Sequence, residues 1–139
     1  MVSADTGFWV ALASPRDAAY ARAHEALRQL GTEQLIVTWP VIAETCHLLS
    51  SRVGWRATSR FLASHAAGAY TIADPGIHPP ERMLPLMERY RDLPMDVADA
   101  SLVLLAHHLG HGRILSTDRR DFETYRWKER HPFDNLMAR

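Results

Sequence analysis

The sequence predicts a single α/β domain in which a mostly parallel β-sheet is wrapped by helices. The chain has 139 residues, which suits one hydrophobic core and is too short for two comfortable ones. Short apolar stretches typical of buried strands alternate with longer stretches of helical spacing, and this alternation favours parallel strands. The composition, 47% hydrophobic and 23% charged, is that of a folded protein.

The first half begins with "MVSADTGFWVALAS", which predicts a short buried strand running into a helix, with Asp5 at the junction. "SPRDAAYARAHEALRQLG" is the clearest helix, because Ser14 can cap it, Pro15 suits its first turn and Gly31 ends it. "QLIVT" is a strand candidate, and "PVIAETCHLLSSRVG" after it is helical and opened by Pro40.

The second half continues the alternation. A helix over Arg56–Ala67 is followed by a strand candidate, "AYTIAD", and then by helices over Glu81–Tyr90 and Asp96–Leu109. "RILST" is the fourth strand candidate, and "DRRDFETYR" is predicted to be a loop with a short helix. The segment after Trp127 stays open between an edge strand, an arm and a disordered tail.

Charge and cysteine usage limit the possible functions. The 16 basic and 16 acidic residues balance, so a nucleic-acid substrate would need a local patch of positive charge. The single cysteine, Cys46, excludes a disulfide framework and fits a reducing cytoplasm. The N-terminus has no basic region before an apolar run, and the longest apolar stretch, near Leu102–Ala106, is too short to span a membrane.

Acidic residues follow two predicted strands. Asp5 and Asp118 come directly after their strands, at the edge of a parallel sheet where binding crevices form. Glu44 lies between Val41 and Leu48 on an otherwise apolar helix face, so we expect it to point inward.

Two further carboxylates open the helix in "LPMDVADASLVLLAHHLG". Asp96 and Asp99 have i, i+3 spacing and therefore share one side of the first turn. Three of the acids also have a structural explanation, because Asp5 and Asp96 could cap helices and Asp118 could belong to a turn. Glu44 is harder to explain in this way, since an acid on an apolar face is rarely left without a partner. Taken together, however, like charges from four segments would repel one another in one crevice unless a cation lay among them. Mg²⁺ or Mn²⁺, which prefers carboxylate and water oxygens, is the natural candidate.

The blocks "SADTGFWVAL", "TWPVIAETCHLL", "LPMDVADASLVLLA" and "ILSTDRRDF" resemble the PIN domain, and most closely the VapC-like toxins of bacterial toxin–antitoxin pairs. The resemblance covers about residues 2–126, and the blocks occur in the family's order. It implies a three-layer α/β/α sandwich with a mainly parallel central sheet. It also implies Mg²⁺- or Mn²⁺-dependent endonucleolytic cleavage of RNA by hydrolysis.

By this resemblance Asp5, Glu44, Asp99 and Asp118 correspond to the four family acids, and Asp96 matches an additional one. Asp5, Asp99 and Asp118 would be direct or water-mediated metal ligands. Glu44 would position a second metal or the attacking water, with Asp96 in support. No acidic position is missing, so an active nuclease is expected.

Other residues and partners follow from the same resemblance. Thr6 and Thr117 could hydrogen-bond ligands or water, and Arg119 and Arg120 are the best candidates for contacts to RNA, although a solvated charged turn explains the arginines equally well. A cognate antitoxin protein, a homodimer and a cytoplasmic location are also implied.

Rival functions remain at this point. One is a non-cleaving PIN-like module that binds RNA or protein. Another is a phosphoacceptor receiver domain, which would need a lysine directly after a late strand, but Lys128 lies well past "RILST". The three histidines of "HHLGH" could suggest zinc, but without the glutamate of the metalloprotease motif. A nucleophilic serine or cysteine enzyme has the least support, because Cys46 lies among apolar neighbours and no G-x-S-x-G motif is present.

Overall fold

The computed structural model describes residues 1–138 and shows a three-layer α/β/α sandwich around a parallel sheet. The sheet has five strands in the order β3-β2-β1-β4-β7, and every neighbouring pair is parallel. Its strands are β1 (Val2–Ala4), β2 (Leu35–Val37), β3 (Thr71–Ile72), β4 (Arg113–Leu115) and β7 (Asp134–Asn135). The predicted fold class is confirmed.

Helices connect the strands and cover the sheet. They are α1 (Thr6–Ala13), α2 (Tyr20–Leu30), α3 (Trp39–Arg52), α4 (Trp55–Ala66), α5 (Pro80–Arg89), α6 (Val97–Leu109) and α7 (Arg119–Thr124), with a 3-10 turn at Pro75–Ile77. The apolar part of α6 is buried from Ala100 to Ala106, which places the acids at its first turn against the edge of the sheet.

The predicted start of the second helix is wrong. Ser14 is the C-cap of α1, where its N–H donates to the carbonyl of Val10, and it does not open α2. The chain turns between α1 and α2, and the Asp17 side chain accepts from the N–H of Ala19 in that turn. Capping residues that suit a helix start thus serve a tight reversal here. The predicted end is confirmed, because Gly31 caps α2 at a φ of 62°.

After Trp127, the described residues up to 138 complete a hairpin and then form an edge strand. Strands β5 (Arg126–Trp127) and β6 (His131–Pro132) pair antiparallel, and β7 then adds to β4. The Asn135 side chain accepts from the backbone N–H of Ser116 at 3.1 Å and donates to the Ser116 carbonyl at 3.0 Å. The C-terminal strand therefore fixes the backbone just beyond β4, where the acidic residues lie.

Within residues 1–138, each helix is too short or too polar to cross a bilayer.

Candidate active site

A crevice of about 400 Å³ lies at the carboxyl ends of β1 and β4. All seven of the acids and threonines predicted for the site line it, together with a sixth acid, Asp121. The full lining is Asp5, Thr6, Gly7, Glu44, Leu48, Leu93, Pro94, Asp96, Asp99, Thr117, Asp118 and Asp121. Folding therefore gathers acids from distant parts of the chain into one place.

Asp5 is both a helix cap and a member of the site. Its Oδ1 accepts from the Thr6 N–H at 2.7 Å, which caps α1, and its Oδ2 accepts from the Ser116 hydroxyl at 3.1 Å. The residue is only 7% exposed. Burial raises the pKa of Asp5 to about 7, and the negative charges of Glu44 and Asp96 add to the rise.

Asp96 and Asp99 form a capping box at the start of α6. The Asp96 Oδ1 accepts from the Asp99 N–H at 2.8 Å, and the Asp99 Oδ2 accepts from the Asp96 N–H at 3.5 Å. The Tyr125 hydroxyl also donates to the Asp99 Oδ2, at 3.0 Å. Burial raises the pKa of Asp99 to about 8, with further contributions from the charges of Asp96 and Asp5.

Glu44 is half-buried on α3 and turns toward the crevice, as predicted. Burial raises its pKa, and the charge of Asp96 raises it further, whereas the nearby Thr6 hydroxyl opposes the rise. A carboxyl group with a raised pKa holds a proton more readily than an ordinary glutamate does. Glu44 is therefore suited to accept a proton in the crevice.

Asp118 caps α7 and faces a second acid in the same helix. Its Oδ1 accepts from the Asp121 N–H at 3.1 Å, and its own N–H donates to the Ser116 hydroxyl at 3.0 Å. Burial, and then hydrogen bonding and charge repulsion with Asp118, raise the pKa of Asp121 to about 6. Asp121 and Ser116 were not predicted. The i, i+3 spacing of Asp118 and Asp121, which repeats that of Asp96 and Asp99, was the signal for the first of them.

The two arginines predicted to contact RNA are exposed and lie outside the crevice lining. Arg119 borders a neighbouring hollow beside α2, with Arg22 and Met137. Arg120 lies close enough to Asp121 for its charge to lower the pKa of that acid. The charge of Arg120 therefore acts on the site from beside Asp121.

The chemistry of the crevice lining decides whether it can hold a metal ion. Among residues 1–138, no three His, Cys, Asp or Glu side chains are arranged as a ready-made ligand set. Mg²⁺ and Mn²⁺ do not require one, because they keep several waters and commonly bind through one or two carboxylates. The Thr6 hydroxyl oxygen lines the crevice, is buried, and lies close enough to Glu44 to lower the pKa of that acid. A set of possible ligands made up of carboxylate and hydroxyl oxygens fits a hydrated cation of this class.

The histidine and cysteine alternatives gain no support. The His111 Nδ1 accepts from the N–H of Arg113, which is a structural role. Burial raises the pKa of the Cys46 thiol, so the reactive thiolate is disfavoured.

Gly7 allows the Thr117 side chain to approach α1. A Cβ added at Gly7 would lie 2.1 Å from the Thr117 hydroxyl oxygen. We therefore expect Gly7→Ala to lower the free energy of unfolding by about 1–2 kcal/mol, despite the better helix propensity of alanine. In a Thr117→Ala background the same change should be neutral or stabilising, which a double-mutant cycle in urea would measure. Equal destabilisation in both backgrounds would contradict this contact.

Comparisons with known proteins agree with this architecture. A family model described as "PIN domain" matches residues 3–128. Ribonuclease VapC26 of Mycobacterium tuberculosis is 34% identical over 94 residues, which are 68% of this chain and 70% of that protein. The crystal structure of M. tuberculosis VapC20, a Sarcin-Ricin loop cleaving toxin, matches with a TM-score of 0.76 at 20% identity, covering 86% of this chain and 92% of that one. The last match supports the fold, and the first two show that the chain is a VapC-like member of the PIN domain family.

Proposed function

We propose that this protein is a divalent-metal-dependent endoribonuclease and the toxin component of a toxin–antitoxin pair. The observation that carries the proposal is the crevice in which Asp5, Glu44, Asp96, Asp99 and Asp118 come together on a PIN domain. The names of the relatives, a ribonuclease and a toxin, point to the same activity. The receiver-domain alternative does not account for the family match.

The proposed roles depend on which carboxylate oxygens already accept hydrogen bonds from the protein. One oxygen of Asp99 and one of Asp118 accept hydrogen bonds from the protein, which leaves the second oxygen of each for Mg²⁺ or Mn²⁺. Asp5 supports these two from a buried position, and Thr6 and Thr117 add hydroxyl donors or acceptors at the wall. When bound, the cation supplies positive charge that stabilises the negative charge developing on the phosphodiester.

Glu44 and Asp96 are proposed to handle the attacking water. Glu44 has a raised pKa and faces Asp96, so it can orient a water molecule and accept its proton. Asp96 is exposed at the mouth of the crevice, where it can hold that water in place. No covalent protein intermediate is needed for this hydrolysis.

RNA contacts are proposed for Arg119 and Arg120 at the rim. Arg119 shares the neighbouring hollow with Arg22, and Arg120 lies beside Asp121, so both offer positive charge beside an acidic site. Because the whole chain carries no net charge, binding of RNA should be modest in strength and sensitive to salt.

The antitoxin is proposed to cover an apolar groove of about 580 Å³ between α1, α2 and α4. Trp9, Leu27 and Phe61 are among its apolar lining residues, and Arg56 and Arg60 supply charge. A homodimer would draw on exposed apolar side chains elsewhere, such as Trp39, which is 50% exposed. A cytoplasmic location is proposed with these partners.

The activity is tested by incubating the purified protein with RNA in Mg²⁺, in Mn²⁺ or in EDTA. We expect internal cleavage with either cation and a loss of at least about 100-fold in EDTA, because the site depends on cation charge. RNA that is bound without being cut in Mg²⁺ and Mn²⁺ would favour the non-cleaving module. Cleavage at full rate in EDTA would contradict the metal mechanism.

A further inference from the structure

We propose that Tyr125 is a positioning residue that orients the Asp99 carboxylate for a divalent cation. This inference rests on the proposed function, because it concerns the same metal site. Tyr125 lies near the C-terminal end of the chain, outside the acidic crevice lining, and it reaches the site through one hydrogen bond.

The Tyr125 hydroxyl is held in one place. The residue is fully buried, with 0% of its surface exposed. Its ring packs edge-on against Tyr90 at 5.1 Å and against Phe122 at 5.2 Å. Its backbone N–H donates to the carbonyl of Asp121 and closes α7. Since ring and backbone are both fixed, the hydroxyl can donate to the Asp99 Oδ2 only from one direction.

This contact determines which oxygen of Asp99 is available. The Oδ2 atom accepts from the Tyr125 hydroxyl at 3.0 Å and from the Asp96 N–H at 3.5 Å. The Oδ1 atom is therefore the one left to the crevice. A carboxylate held by one oxygen presents the other at a defined angle, as a metal ligand requires.

A purely structural role is the competing explanation, because buried tyrosine hydroxyls generally find a hydrogen-bond partner. Tyr90 provides a matched control for it. The Tyr90 hydroxyl accepts from the Arg126 N–H at 3.2 Å, and its ring packs against the ring of Tyr125. Its removal costs a comparable hydrogen bond in the same aromatic cluster without touching Asp99.

The test compares Tyr125→Phe with Tyr90→Phe by measuring the binding of Mn²⁺ alone, by calorimetry and without RNA. We expect Tyr125→Phe to weaken Mn²⁺ binding by about 10–100-fold, as loss of a group that orients a metal ligand typically does. Tyr90→Phe should change it by less than about threefold. In an Asp99→Asn background, Tyr125→Phe should have no additional effect, because its influence passes through that carboxylate.

Two results would overturn the proposal. One is unchanged Mn²⁺ binding in Tyr125→Phe, and the other is equal weakening by both tyrosine variants, which would indicate general loosening of the cluster. If the wild-type protein cleaves RNA and binds Mn²⁺ while Tyr125→Phe does so equally well, only the positioning role fails. If the wild-type protein neither binds Mn²⁺ nor cleaves RNA, the proposed function fails and the positioning role fails with it.

Discussion

Replacing Asp99 with asparagine is expected to lower the rate of RNA cleavage by about 10²–10³-fold, the usual cost of removing one preorganised electrostatic group from an active site. Asparagine keeps the size of the side chain and an oxygen that can accept from Tyr125 and from the Asp96 N–H. What it removes is the negative charge that holds a cation. The loss should appear in initial rates of RNA cleavage at saturating Mg²⁺.

The matched control is Glu88→Gln, the same type of change on the exposed surface of α5. It should cleave RNA at the wild-type rate, since Glu88 does not line the crevice. Near-normal cleavage by Asp99→Asn would show that catalysis does not depend on Asp99. A similar loss in the control would show that overall acidity, rather than this position, is responsible.

Helix capping and participation in the site turn out to be compatible in this molecule. Asp5 caps α1, Asp96 caps α6 and Asp118 caps α7, and all three line the crevice. The reason lies in the fold: the helices begin where strands or loops end at the carboxyl edge of the sheet. In Asp96 and Asp118 one carboxylate oxygen accepts from the backbone, which leaves the other for the crevice, whereas the second oxygen of Asp5 accepts from the Ser116 hydroxyl. Structural and functional explanations that competed in the sequence therefore coexist in the fold.

The sequence predicted which acids would lie together in the crevice, because these acids follow strand ends or open a helix that packs on the sheet. These predictions depend on local patterns. Asp5 and Asp118, for example, were predicted because each directly follows a strand. The raised pKa of Glu44 agrees with its prediction from an apolar helix face. Local sequence patterns were therefore enough to predict this part of the crevice.

Contacts between residues far apart in the sequence could not be predicted from local patterns. The Tyr125 contact to Asp99 spans 26 residues, and the Ser116 contact to Asp5 spans 111. Neither spacing has a periodic signature. The start of α2 was missed for a different reason, because Ser14 and Asp17 suit a helix cap and a turn equally well. In the same way, Arg119 follows a site acid in sequence, yet its position on α7 brings it to the hollow beside α2.

Replacing Asp5 with asparagine is expected to stabilise the cation-free protein at pH 8 by up to about 4 kcal/mol. Burial raises the pKa of Asp5 from 3.8 to about 7, and each pKa unit corresponds to about 1.4 kcal/mol. Between these two values the native state binds more protons than the unfolded chain does. The stability of the wild-type protein therefore falls as the pH rises from about 4 to about 7, and the contribution of Asp5 is constant above that range. Asparagine does not titrate, and it can still accept from the Thr6 N–H.

Urea unfolding in EDTA at pH 4, 6 and 8 would measure this effect, with the exposed Asp92→Asn as the control. The advantage of Asp5→Asn should grow with pH, while the control should follow the wild-type curve. Part of the decrease in stability with pH should remain in Asp5→Asn, because the pKa of Asp99 is also raised, to about 8. A wild-type stability that does not change between pH 4 and pH 8 would contradict the buried charge.

The same experiment repeated in Mg²⁺ links stability to function. Cations compete with protons for carboxylates, so Mg²⁺ should stabilise the wild-type protein more at pH 8 than at pH 5, where Asp5 and Asp99 retain their protons. Asp5→Asn should show a smaller gain because it has lost one source of repulsion. We infer that the acids destabilise the cation-free protein because they are placed to bind a cation. A gain from Mg²⁺ that is equal at both pH values would mean that the ion binds elsewhere on the protein.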